Sequence, residues 1–135
     1  MGDGQNAPVL VLWDIDHTLV TAGGVGRMVY ARAVPAVTGN PLRELPAFSG
    51  RTELDIMQES LRCHGVEPTD EVIGRLSRAV IEGHEDMRTE LASFGRALPG
   101  AAATVAALAA DDSVCQSLLT GNLREVARIK LEVYA

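Results

Sequence analysis
Asp14 and Asp16 stand one residue apart, and Thr18 follows them. Two carboxylates this close repel each other unless a cation or a shared proton offsets the charge. Carboxylates can hold a metal ion, attack as nucleophiles or pass protons. The other reading of the pair is a solvated acidic turn, and the residues before it argue against that. Val9-Leu10-Val11-Leu12-Trp13 is a continuous apolar run, β-branched in part, which reads as a strand buried on both faces. Asp14 and Asp16 then lie at or just past its C-terminal end, where open α/β sheets gather ligands. The stretch points to a metal-assisted site.

Leu118-Leu119-Thr120-Gly121-Asn122 is a second place where chemistry is expected. Ser113–Leu119 reads as another strand, and Leu123–Tyr134 as a helix with Val126, Ile129 and Val133 turned to the sheet. The start of a helix presents free N–H groups and a positive dipole end to anions. Thr120, Gly121 and Asn122 can therefore bind a phosphoryl group through hydroxyl and backbone N–H; the plainer reading is a helix cap alone. The chain uses eleven arginines and a single lysine, Lys130, in the same helix. Lys130 is about 12 Å along the axis from the helix start, so it either reaches back on its long side chain or is a solvated surface residue.

The elements between these stretches are mostly helical. Residues 1–7 form a polar N-terminal tail, and residues 21–26 a loop with three glycines, which is either a hinge or an ordinary flexible connection. Arg27–Val37 has helical spacing, with Pro35 expected to kink it or end its regular bonding. Thr52 caps a helix with Leu54, Met57 and Leu61 inward, ending at Gly65. Thr69 or Asp70 caps the next, whose apolar positions Val72, Ile73, Leu76, Val80, Met87 and Leu91 keep helical spacing, interrupted near Gly83. No strand is expected between Arg27 and Leu91. After Leu98-Pro99-Gly100, Ala101–Ala110 reads as a short helix with Val105 and Leu108 inward. That helix alone suffices for a crossover between two parallel strands, so the long helical stretch before it reads as an insertion.

Composition narrows the function classes. The chain has 135 residues, 47% of them apolar and 4% aromatic, so its core is aliphatic. A net charge of −6 argues against a nucleic-acid binder, which presents a basic face. The apolar run at Val9–Trp13 is too short to span a membrane, and the polar start has no basic leader region. Cys63 and Cys115 lie far apart, in no metal-ligand spacing, and read as reduced structural thiols. These features imply a cytoplasmic protein with no membrane or nucleic-acid partner.

Asp14-Ile15-Asp16-His17-Thr18-Leu19 resembles the first motif of the haloacid dehalogenase-like (HAD) superfamily, whose phosphatase members carry Asp-x-Asp-x-Thr near the N-terminus. The helical insertion, with re-entry at Leu98-Pro99-Gly100, resembles the phosphoglycolate phosphatase-like branch. The resemblance implies a Rossmann-like α/β core over residues 1–20 and 99–135 and an all-helical cap over 21–98. It also implies a phosphatase acting on a small phosphorylated metabolite through an aspartyl-phosphate intermediate. Asp14 takes the part of the nucleophile and Asp16 that of the general acid and base, both serve the Mg²⁺ site, and the second aspartate also offers its backbone carbonyl to Mg²⁺. Thr120 matches the second motif, Lys130 the third, which holds the charge of nucleophile and phosphate. Arg51, in Ser49-Gly50-Arg51-Thr52, falls where relatives place a substrate-facing cap loop, and otherwise reads as a surface arginine. His17 fills a variable position, often Gly in relatives. The family's later acidic motif, which completes the Mg²⁺ site, has no counterpart after Lys130. The chain is therefore expected to be truncated, with an open sheet edge that a second copy could cover. A haloacid dehalogenase, a phosphosugar mutase and a non-catalytic remnant stay open beside the phosphatase, although Asp16 has no purpose in displacing a halide.

Overall fold
The computed structural model describes residues 7–134, so most of the N-terminal tail and Ala135 lie outside it. Strand β1 (Val9–Trp13) pairs in parallel with β4 (Val114–Leu118), in a register that sets Val9 against Val114 and Trp13 against Leu118. Both strands therefore end at the same edge, and the segments after them, Asp14–Asp16 and Thr120–Asn122, emerge side by side. Helix α5 (Ala101–Ala109) leads into β4, and α6 (Arg124–Tyr134) follows it.

The chain leaves this core through β2 (Val20–Thr21) and returns through β3 (Arg96–Ala97), which pair antiparallel as a two-residue ribbon. Neither short strand has an alternating apolar pattern long enough to be read from sequence. Between them run α1 (Val25–Thr38), α2 (Glu53–Cys63), α3 (Asp70–Asp86) and α4 (Arg88–Phe94). Thr52 caps α2 by accepting the N–H of Asp55, and Thr69 caps α3 by accepting that of Val72.

Several expectations are corrected. Pro35 does not end α1, which runs on to Thr38 and closes where Gly39, at φ 71°, donates its N–H to Pro35 O. Gly83 does not interrupt α3; the break comes at Met87, between α3 and α4. Gly83 is instead a place of close approach, since a Cβ there would stand 2.7 Å from Val29 Cγ1 on α1. Leu54 points outward and is exposed, whereas Met57 and Leu61 are buried.

The largest correction concerns β1. It is not buried on both faces: Val9, Leu10 and Leu12 are 51%, 60% and 49% exposed. Its sheet has two strands, and α5, whose residues are all at least partly exposed, covers little of it. The two cysteines are free and also exposed. The main apolar interior lies among α1–α4, where Val25, Val29, Val34, Met57, Leu61, Leu76, Val80 and Leu91 are buried together. Val126 and Ile129 of α6 join that interior instead of facing the sheet. A smaller cluster, Ile15, Leu19, Val20 and Ala127, holds the start of the ribbon against α6. Among the described residues no helix is long and apolar enough to cross a membrane.

Candidate active site
A cleft of about 480 Å³ opens where the strand ends meet the helices. Asp14 and Asp16 line it from the end of β1, Thr120, Gly121 and Asn122 from the end of β4, and Lys130 from α6. Arg51 lines it from the opposite side, just before α2. All seven residues singled out in the sequence thus border one space.

The centre of the site is a polar network between β1 and α6. Lys130 is 6% exposed, and its Nζ donates to both oxygens of Asp16, at 2.8 and 3.0 Å, and to Asn122 Oδ1 at 2.8 Å. Asn122 Nδ2 donates to Asp16 Oδ2 at 2.7 Å and to Thr120 Oγ1 at 2.8 Å, which also accepts the Asn122 N–H at 3.1 Å. Oxygen and nitrogen of the Asn122 amide each meet chemically matched partners, which settles its orientation. The Thr120 hydroxyl accepts twice from Asn122, so its own O–H is left to donate outward. Lys130 reaches the site because Val126 and Ile129 anchor α6 against the cap helices and turn the next residue inward. Burial pushes the Asp16 carboxyl up, but the Lys130 ammonium and the Asn122 amide outweigh it, and the group is held below the usual carboxylate range.

Asp14 is more open to solvent. Its Oδ1 accepts the N–H of Ile15 at 2.8 Å, and Oδ2 has no protein donor among the described residues. His17, at φ 60°, occupies the left-handed region that favours glycine. Its N–H donates to Val20 O at 2.8 Å, closing the turn that presents Asp16.

Mg²⁺ is held in many phosphoryl-transfer sites by one or two carboxylates, with waters and substrate phosphate completing the octahedron. The Asp14 carboxylate, with one oxygen unengaged, fits that chemistry. The Asp16 side chain does not, because Lys130 and Asn122 already hold both its oxygens. Among the described residues no three His, Cys, Asp or Glu side chains converge as a metal cluster.

Cap and core meet directly at the cleft. Glu53 N–H donates to Gly121 O at 2.8 Å. A Cβ on Gly121 would stand 3.0 Å from Thr52 Cα, so a small residue permits the approach. Arg51 does not reach into the network. Its guanidinium pairs with Asp55 at 2.6 Å and with Glu59, both on α2.

Sequence reading missed three further residues on the cap side of the cleft: Tyr30, Glu53 and His84. Tyr30 Oη donates to Glu53 Oε1 at 2.6 Å. Burial pushes the Glu53 carboxyl up, against the pull of the Tyr30 hydroxyl and Lys130. Burial lowers the His84 imidazole, against the pull of the Val80 carbonyl. Glu53 carried no signal, since acids in the first turn of a helix are ordinary. His84 did carry one: it continues the buried spacing of Leu76 and Val80, a polar residue on an apolar stripe.

No family model and no curated protein matches the chain. Solved structures do. A hydrolase from Pseudomonas syringae superposes with a TM-score of 0.64 at 20% identity, over 93% of this chain and 55% of that one. A predicted phosphoglycolate phosphatase from Haemophilus somnus 129PT superposes with a TM-score of 0.62 at 14% identity, over 96% of this chain and 60% of that one. The chain thus spans little more than half the length of either structure, and over that span it has their fold, an α/β core carrying a helical cap.

Proposed function
We propose that this chain carries the nucleophile and phosphate-binding part of a HAD-type phosphatase that hydrolyses a small phosphorylated metabolite. The observation that carries the reading is the network joining Lys130 to Asp16 and Asn122, because it gathers residues from three separate stretches around the Asp16 carboxylate, beside Asp14 in the same cleft.

In this reading Asp14 Oδ2 bonds to phosphorus as the P–O bond to the alcohol breaks, and Asp16 gives the leaving oxygen its proton. Water then attacks the aspartyl phosphate, passes a proton to Asp16 and frees Asp14 and inorganic phosphate. Thr120 O–H and Lys130 stabilise the phosphoryl oxygens. In the free protein Lys130 keeps Asp16 ionised, which suits the second step. For the first step the charge of an incoming phosphoryl group competes for the Lys130 ammonium, and Asp16, released from it, takes up the proton of the singly protonated phosphate ester, which it then passes to the leaving oxygen. Asp14 and the backbone carbonyl of Asp16 would hold Mg²⁺, which supplies charge neutralisation to the phosphoryl group. The acid Asp16 disfavours the dehalogenase reading, since a halide leaves without a proton. The free cysteines Cys63 and Cys115 are in keeping with a cytoplasmic setting.

The test is hydrolysis of p-nitrophenyl phosphate by the 135-residue chain with and without Mg²⁺, beside Asp14→Asn. Turnover that requires Mg²⁺ and disappears in the variant supports the reading. A folded wild-type chain that neither hydrolyses the ester nor binds inorganic phosphate overturns it.

A further inference from the structure
Two buried histidines in the cap differ in one contact. His64 is 0% exposed, its Nδ1 is 2.6 Å from Ser60 O, and its Nε2 accepts the N–H of Arg43 at 2.8 Å. Both nitrogens are engaged, and the ring ties a loop to α2. His84 is 2% exposed, and its Nδ1 is 2.8 Å from Val80 O in the same i−4 arrangement. A carbonyl oxygen only accepts, so in both rings Nδ1 carries the hydrogen. The Nε2 of His84, however, has no protein partner among the described residues, and His84 lines the cleft.

Among the described residues the enclosed side-chain polar atom without a partner is Ser60 Oγ; His84 Nε2 instead opens on the cleft, where a water or a ligand can meet it. The nitrogen left here bears a lone pair, so it accepts a hydrogen bond. Lys130 and Asp16, paired with each other, act on the ring with opposite sign, so no net charge across the cleft calls for a charged partner. An uncharged O–H is the fitting group. Its position is also informative: His84 stands on α3, on the cap side, whereas the carboxylates stand at the strand ends. A phosphomonoester with its phosphoryl group at Thr120 and Lys130 extends its alcohol portion toward the cap.

We propose that Nε2 of His84 accepts a hydrogen bond from a hydroxyl group of the substrate, so that the cleft takes a hydroxylated phosphomonoester, such as a polyol or sugar phosphate. This rests on the phosphatase reading above.

The experiment uses the full 135-residue chain as Asp14→Asn, to prevent turnover, with ¹⁵N-labelled histidine and Mg²⁺. Glycerol 3-phosphate and propyl phosphate, which has the same carbon chain without hydroxyls, are titrated separately while the ring nitrogens are followed by NMR. The expected result is that the His84 Nε2 resonance moves toward its hydrogen-bonded position with glycerol 3-phosphate only. One hydrogen bond of this kind should make that ligand bind about tenfold tighter than propyl phosphate. His84→Leu should remove the preference, and His84→Gln should keep part of it. If both esters bind equally and the Nε2 resonance stays still, the proposal is overturned and the phosphatase reading stands. If neither binds, the phosphatase reading falls and the proposal with it. The ring signal decides the matter even if His84→Leu does not fold.

Discussion

The cap and the sheet differ in how they dispose of apolar surface. Between Val25 and Leu91 the helices bury Leu61, Leu76, Val80 and Leu91 almost completely. In the sheet, Leu10, Leu12 and Leu118 remain 60%, 49% and 41% exposed, and Leu119 just past it 68%. The cap helices find partners among one another and in α6, whereas each strand of the two-stranded sheet pairs on one side. Apolar burial in the described residues is therefore concentrated in the cap, and the cleft with the two aspartates sits at its seam with the sheet. Helix α6 belongs to both: Val126 and Ile129 pack into the cap interior, and Lys130 reaches Asp16 beyond β1.

The contrast is most strongly tested by truncating one leucine on each side. Leu76→Ala in the cap should cost about 2–5 kcal/mol in urea unfolding, the range for emptying a buried leucine site. Leu10→Ala on the exposed strand should stay within about 0.5 kcal/mol, as surface substitutions do. A cost at Leu10 like that at Leu76 would break the comparison and show that this face is covered in solution, for instance by a second copy.

Gly83→Ala sharpens the account of the cap. Alanine is the better helix former by about 1 kcal/mol. Its Cβ would nonetheless stand 2.7 Å from Val29 Cγ1, so the variant should lose about 1–3 kcal/mol through overpacking. A gain in thermal stability would show that α1 and α3 yield easily.

Lys130→Met examines the seam. Asp16 keeps Asn122 but loses its ammonium partner, and unfolding at neutral pH should become easier by about 1–2 kcal/mol, given the partial exposure of the carboxylate. The pH dependence carries a sign. The folded Asp16 is held below the unfolded value of about 3.9. Its contribution is therefore present above that value and is lost as pH falls through the folded one. The penalty of Lys130→Met should accordingly shrink below about pH 4. A penalty independent of pH would mean that Lys130 acts through packing alone.

The smallest effect is expected at His17. His17→Gly relieves the left-handed backbone at φ 60° and should raise stability by up to about 1 kcal/mol, less what the freer unfolded chain takes back. A loss of stability would show that the imidazole makes a contact outweighing the strain.

Local patterns were legible in the chain. The apolar run before Asp14, the caps at Thr52 and Thr69, and the crossover helix after Pro99 follow from spacing and residue type. The ribbon of β2 and β3 was not, because two residues per strand leave no period to read. Leu54 misled for a related reason: its spacing suits the inner face of α2, yet no neighbouring helix covers it.

By itself, the sequence determined which residues had chemistry to offer: the pair Asp14 and Asp16, the Thr120-Gly121-Asn122 turn, the single Lys130 and the cap-side Arg51. It determined too that a helical stretch separates the two strands. Only the tertiary structure decided that Lys130 meets Asp16 while Arg51 stays bound to Asp55 and Glu59, that β1 is exposed, and that His84 opens on the cleft while His64 does not. The physical reason is range. Propensity, periodicity and capping act over a few residues, but the charge on Asp16 is set by a lysine 114 positions away, and the burial of a strand is set by whatever packs on its faces.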